Sequence, residues 1–520
     1  MATVTVRMQG LRLPEVSACR FGAVAAAVAF SLSAYTGAVR AQETDIRPSV
    51  QTRLTWTDNG GASRDSKESD WIAEVTPSLA VSRKGGRFNG NMSAQFRNTF
   101  HTNDSKGDTS YLAFQGRGEL EAVEDLFFLD MGGSISRNNL SAFSGRDSSD
   151  DLNTSKNDET RTWTLGPRLQ FRLGDTATAK LGYTARWYDG GNSLKGARMG
   201  QWVGQVMDPA PQRLFGWGVD YTRNETEFEN SVNDRGIQDA GRATLYINLT
   251  PQFRFRAIVG HESNDYGEGN KQSGSIYGGG LDWEVSDRTR LSATVEDRVF
   301  GTGYNFSFDH RTARTHWRLS YMRDVTSMVQ SFSSEPLIES QCRAIADSGV
   351  EWNGWILDPD AMYALCMASL GASSAQSVVS NAYFLQRSLR GSVTLLGERN
   401  SLTLSFTRSQ RSSLNAISGL PVGDDFALST SIKTSAASAS FSHRLTPITS
   451  LISTLTRSRT EGSSASGLET RRLLMSVGLN TELGPKTSGG INYRYQRAEG
   501  SGGGSDFTEN AIIANLGLRF

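Results

Sequence analysis

From about residue 46 to the end of the chain, apolar side chains recur at every second position over runs of about ten residues, the pattern of a strand with one apolar and one polar face. In "RFNGNMSAQF" (87–96), Phe88, Gly90, Met92, Ala94 and Phe96 fall on one side, and Asn89, Asn91, Ser93 and Gln95 on the other. In "WTLGPRLQFRL" (163–173), Trp163, Leu165, Pro167, Leu169, Phe171 and Leu173 oppose Thr164, Arg168, Gln170 and Arg172. The same alternation runs through 215–221, 290–296 and 401–407.

The connections are of two kinds, and they alternate. Tight turns such as "KGGR" (84–87), "GDTA" (174–177), "SDRT" (286–289) and "LTPI" (445–448) are rich in Gly, Asp and Pro. Between them lie longer polar stretches, among them "DNGGASRDSKES" (58–69), "NLSAFSGRDSSDDLNTSKND" (139–158) and "EGSGGGSD" (499–506). About ten turns and about eleven longer stretches give about 22 strands, the even number of an outer-membrane barrel with both termini at the short-turn end.

Lipid offers no partner to a backbone N–H or C=O, so a β structure spans a membrane only by closing on itself. Closure also accommodates a hydrophobic content of 37% and a mean hydropathy of -0.40, because only the outer face needs to be apolar. A soluble propeller would repeat every 40 residues or so with a blade motif, and none recurs. Trp56, Trp71, Trp163, Trp187, Trp217, Trp283 and Trp317 fall mostly toward strand ends, as interface girdles require. The expectation is an all-β protein: a single transmembrane antiparallel up-and-down β-barrel over 42–520 with both termini periplasmic, in the outer membrane of a Gram-negative bacterium.

The first forty residues differ. Arg7, Arg12 and Arg20 precede the apolar run 21–34, and Val39 and Ala41 occupy the small-residue positions of a cleavage site, so 1–41 reads as a secretory signal peptide. Removing it takes away four arginines and Glu15, which moves the formal charge from +0 to −3 and leaves no basic excess to attract nucleic acid. A TonB-dependent receptor would have a similar strand number but would carry a folded plug domain between Ala41 and the barrel, where only a few residues stand.

Residues 280–324, "GLDWEVSDRTRLSATVEDRVFGTGYNFSFDHRTARTHWRLSYMRD", resemble a stretch of the PEP-CTERM system-associated outer-membrane β-barrel family. The resemblance rests on Trp283, Arg288, Thr289, Phe300, Gly301, Tyr304, His310 and Arg311, while Ser286 and Asp287 depart from a proline-containing turn. It implies an accessory or conduit in exopolysaccharide assembly or export, with polysaccharide export components as partners. A general diffusion porin for small, anionic solutes is the alternative.

On the faces opposite the apolar ones lie Arg168, Arg172, Arg242, Arg254, Arg256, Arg288, Arg290 and Arg318, expected to line the lumen. Such a set either focuses a positive field on anionic solutes or simply keeps a wide interior solvated and ion-paired. The stretch 326–378 is the one long irregular segment, expected as a constriction at the barrel mouth or as a surface excursion. Its Cys342 and Cys366 suit a disulfide in an exported chain, whereas two thiols without a nearby histidine do not suit a zinc site. No nucleotide loop or EF-hand spacing occurs, and the five histidines read as structural or solvated, so neither an enzyme nor a cofactor is expected. Asp309 and His310 are adjacent on a strand and point to opposite faces, so the one cannot orient the other.

The ending "AIIANLGLRF" is a strand with Ile512, Ala514, Leu516, Leu518 and Phe520 on its apolar face, expected to pair with residues 46–57. Phe520, Leu518 and Leu516 are the expected recognition signal for the barrel assembly machinery, with outer-membrane lipid as the surrounding partner. Deleting Phe520 should therefore lower the yield of heat-modifiable, membrane-inserted barrel on gels, before any transport property changes.

Overall fold

The structure, a computed structural model, describes residues 43–102, 108–139, 141–143, 157–174, 176–190, 194–208, 210, 213–229, 235–266, 271–327, 330, 380, 382–414, 424–463, 467–501 and 506–520. Its strands are β1 (Glu43–Thr57), β2 (Asp70–Lys84), β3 (Phe88–His101), β4 (Thr109–Val123), β5 (Phe127–Asn139), β6 (Asn157–Leu173) and β7 (Ala177–Gly190). There follow β8 (Leu194–Asp208), β9 (Phe215–Phe228), β10 (Arg235–Thr250), β11 (Phe253–Asp265), β12 (Gln272–Ser286), β13 (Thr289–Arg298), β14 (Gly301–Arg311) and β15 (Thr315–Ser327). The last are β16 (Tyr383–Leu396), β17 (Asn400–Ser413), β18 (Ser431–Arg444), β19 (Thr449–Glu461), β20 (Glu469–Gly484), β21 (Thr487–Ser501) and β22 (Phe507–Arg519), with one helical turn, α1 (Asp425–Leu428), before β18.

Each strand pairs with its sequence neighbours, and β1 pairs antiparallel with β22 from Ser49↔Arg519 to Thr57↔Ala511. The 22-stranded sheet is thereby closed, and no strand edge faces lipid. Both strand termini, Glu43 and Arg519, lie at the short-turn end, where the Phe520 N–H also donates to the Pro48 carbonyl at 3.1 Å. The expected pairing of the last strand with residues 46–57 is the closing seam.

The alternation sorts the side chains. Val219, Val259, Tyr277, Val295, Leu404, Leu455 and Ile491 are exposed on the outer face, while their sequence neighbours line the inside. At the short-turn end the outer face carries Trp217, Trp283 and Trp317; toward the loop end it carries Trp71, Trp163 and Trp187. An apolar band between two aromatic girdles is the outer surface of a protein that spans an outer membrane.

Two departures from the expected layout stand out. The stretch between β13 and β14 is only the two residues Val299 and Phe300, where the alternation calls for a long loop. Gly301 opens β14 at φ +92, a backbone that a side chain would strain, so this sharp reversal depends on glycine. In addition, β15 continues through Ser327, so the long excursion begins two residues later than its expected start at 326; beyond Gln330 it lies outside the described residues, as do Cys342 and Cys366 and the segment 1–42.

Val259 sits mid-strand on the lipid face, whereas Asn305 faces the lumen and is solvated. Val259→Arg should cost about 2–4 kcal/mol of unfolding free energy in lipid vesicles, and Asn305→Arg less than about 1 kcal/mol. Urea titrations of the two variants in phospholipid bilayers measure the difference.

Candidate functional site

The lumen wall formed by β9 to β15 carries a lattice of guanidinium and carboxylate groups. Arg242 on β10 lies 3.9 Å from Asp220 on β9 and reaches across two strands to Glu296 on β13, donating through Nε at 3.1 Å and Nη2 at 3.2 Å. That reach needs a flat floor. A Cβ at Gly260 on β11 would stand 3.3 Å from the Arg242 Cγ, and one at Gly278 on β12 would stand 2.9 Å from the Glu296 Cγ. Glycine at these two positions lets both side chains lie along the wall.

Nearer the loop end, Arg298 on β13 is the hub. It donates to Glu262 on β11 through Nη2 at 2.6 Å and Nε at 3.0 Å, and to Asp324 on β15 through Nη1 at 2.9 Å. The fully buried Glu262 side chain also accepts the Val299 N–H at 2.7 Å, which ties the lattice to the tight β13–β14 turn. Burying a carboxylate is costly unless each lone pair is met, and here three donors meet it.

The eight arginines expected in the lumen divide into groups. Arg168 donates to Glu119 at 2.7 Å and Asp130 at 3.3 Å, Arg256 lies 3.1 Å from Asp282 and donates to Thr294 at 2.9 Å, and Arg318 donates to Asp309 at 3.1 Å. Arg254 donates to the Asn248 Oδ1 at 2.9 Å and stacks over Tyr246. Arg172 is exposed near the short-turn end of β6, and Arg290 is exposed 3.8 Å from Glu284. Arg288 is a correction: it occupies the two-residue turn between β12 and β13, where the chain has left the wall, and it lines no strand face.

The adjoining wall, β16 to β20, is rich in paired hydroxyls. Thr394 and Thr403 lie 3.1 Å apart, Ser405 and Ser438 2.5 Å, Thr434 and Thr460 3.4 Å, and Thr454 and Ser476 2.7 Å. The interior therefore has a paired-charge side and a hydroxyl side.

At the loop end, distant strands are bridged. Tyr383 and Phe384 are consecutive yet both fully buried, so the start of β16, still paired with β15, is covered on both faces. Tyr383 packs edge-on against Phe228 of β9 at 6.0 Å, and 5.3 Å from Tyr266. Phe384 packs 5.6 Å from Phe426 of α1, in a cluster with Ala142, Phe143 and Ile432. Residues 141–143 arrive from between β5 and β6, eleven strands away from β16. They are latched by Asp425, which accepts from the Ser141 Oγ at 2.5 Å and the Ala142 N–H at 2.7 Å, while the Phe143 carbonyl accepts from Thr470 on β20 at 2.9 Å.

The histidines sit in different settings. His101 pairs with Asp70 at 2.9 Å with both side chains buried; His316 pairs with Asp309 at 2.9 Å from the neighbouring strand; His310, on the other face, meets Thr289 at 2.8 Å. His261 is exposed on the outer face of β11, and His443 meets Asn400. Among the described residues, no cluster of three or more His, Cys, Asp or Glu could hold a metal ion.

No family model matches the chain, and no curated protein matches it in sequence. Among solved structures it is similar to the siderophore receptor PirA from Pseudomonas aeruginosa, with 10% identity over 91% of this chain and 80% of that one, at a TM-score of 0.45. It is similar also to the FrpB iron transporter from Neisseria meningitidis (F3-3 variant), with 10% identity over 92% and 82%, at 0.48. OccK5 (OpdH) from Pseudomonas aeruginosa gives 11% identity over 92% and 98%, at 0.33. Likenesses this distant bear on neither substrate nor mechanism.

The latch titrates. Burial, with the neighbouring Asp424, pushes the Asp425 carboxyl from 3.8 up to about 6, against the hydrogen bonds from Ala142 and Ser141. A raised carboxyl pKa means that the packing that buries Asp425 takes up a proton. That loop-end packing is therefore strongest below about pH 4 and weakens by up to about 3 kcal/mol as the pH rises through 6. Hydrogen exchange at the Ala142 amide should accelerate over that interval in the wild type and stay flat in Asp425→Asn.

Proposed function

We propose that this barrel is an outer-membrane conduit or accessory for hydroxyl-rich polymers, serving exopolysaccharide assembly or export in the context that its resemblance to the PEP-CTERM system-associated barrels implies. The observation that carries this reading is the pairing of the lumen arginines. Arg168, Arg242, Arg256, Arg298 and Arg318 each face a carboxylate within 3.3 Å, so at these positions the wall presents donors and acceptors in alternation with little net field. Anionic solutes gain little from such a surface. Sugar hydroxyls, which both donate and accept, match it.

The anion-selective porin is the weaker reading, because it needs arginines free of counter-charges. We read the histidines as structural: those with carboxylate partners lie on strand walls, tied into cross-strand pairs. The assembly machinery and polysaccharide export components are proposed as partners on the same basis.

In planar bilayers the wild-type barrel should show a cation-to-anion permeability ratio within about twofold of unity, and neutral oligosaccharides should block its current. Glu296→Gln leaves Arg242 with only Asp220 and should raise anion preference by about threefold. Strong wild-type anion selectivity without oligosaccharide block would replace the conduit with the porin. Loss of the gene should thin the surface polysaccharide, and an intact coat would sink the export role while leaving the channel measurement to stand alone.

A further inference from the structure

The outer face of β15 to β21 changes character toward the loop end. Below, it is apolar: Leu319, Leu404, Phe406, Leu455, Met475 and Ile491 are exposed to lipid. One or two steps up the same strands, on the same face, the residues become basic. Arg323 stands opposite Arg387, and Lys433 opposite Glu461, in one row of the sheet. In the next row Arg408 is followed by Ser435, Arg459 and Arg471, each opposite the next, and below these lie Arg457 and Arg497 on either side of Leu473. Only Glu461, Glu469 and Glu499 share the area, so eight basic residues stand against three acidic ones, a net +5.

The charges are only partly compensated from within. Glu469 accepts from Arg459 and Arg471, Lys433 is 3.3 Å from Glu461, and Arg323 turns aside to the Phe300 carbonyl. Arg387, Arg408 and Arg457, on β16, β17 and β19, make no hydrogen bond or ion pair with any described residue, and Arg387 and Arg408 are exposed. The stacked tyrosines Tyr304 and Tyr321, with ring centroids 4.7 Å apart, mark the edge of the hydrocarbon beside them. Elsewhere on the rim the same outer positions are ion-paired with both signs, as at Arg161 with Glu159, 2.6 Å, and Arg223 with Asp239, 3.3 Å. Like charges set directly opposite on a sheet repel, and they persist where an anion lies between them.

We propose that this face binds the phosphate groups of an anionic outer-leaflet lipid, whose acyl chains lie along the apolar rows beneath. The height selects a membrane lipid: the basic rows begin where the apolar ones stop, which is where a headgroup sits.

The test uses the full barrel refolded into zwitterionic vesicles doped with a diphosphorylated glycolipid, with co-purifying lipid counted by native mass spectrometry after detergent extraction. Arg387→Glu, Arg408→Glu and Arg457→Glu together should lower glycolipid retention by about tenfold. Arg161→Glu with Arg223→Glu, on the opposite rim, should leave it unchanged. Equal retention in the triple variant, or equal loss in the control, overturns the proposal. Displacement of the glycolipid by millimolar inorganic phosphate alone would assign a free-ion site and overturn it too. Should the triple variant fail to show heat-modifiable folding, the single Arg→Gln variants replace it, each expected to reduce retention by about twofold.

Discussion

Everything in this molecule depends on the obligation of its backbone to pair with itself. A hydrocarbon slab cannot satisfy a peptide group, and the nine-residue seam between β1 and β22 removes the last row that would otherwise face lipid unpaired. Once the sheet is closed, the alternation of side chains has only two destinations. One row meets acyl chains and must be apolar; the next meets the interior and can hold charge at low cost, because water or a counter-ion reaches it.

The interior uses that freedom in two ways. On one side, glycines at positions 260 and 278 lower the wall so that long side chains lie flat and meet across two intervening strands. On the other, short hydroxyl side chains keep the wall thin and pair locally between adjacent strands. A barrel lined throughout with arginine would carry a field, and a barrel lined throughout with serine would carry none. This one sets charges of opposite sign within a few ångströms of each other along β9 to β15, beside a wall rich in hydroxyls.

Much of this could be read from residue order alone. The strands, the faces of Trp163, Leu165 and Arg168, the tight turns and the seam all follow from local alternation and turn chemistry, which need only neighbouring residues. What escaped the sequence is what depends on distant ones. Arg298, Glu262 and Asp324 lie on three non-adjacent strands, and nothing in their local patterns links them. Arginines read strand by strand leave open which carboxylate each one meets; the folded wall decides it, bringing Asp130 to Arg168 and Glu296 to Arg242. Asp309 could not orient His310, and the structure shows its true partner, His316, across the strand pair. One signal was available: the run Gly278, Gly279, Gly280 in mid-strand serves no turn and marks a place where other side chains must pass close to the backbone. The loop-end bridge from Ser141 to Asp425 was beyond reach, since no periodicity encodes a contact between opposite sides of a barrel.

The brevity of the β13–β14 connection shapes the wall itself. At about 3.3 Å per residue and a tilt of about 40°, the ten residues of β13 rise about 25 Å, the height of the apolar band, whereas the seventeen of β6 rise about 43 Å. Among the described strands the wall is therefore lowest at β13 and β14, where it ends flush with the bilayer surface like the lip of a jug. On that side no strand stands above the bilayer, so the lumen wall and the membrane surface meet at the level of Val299 and Phe300.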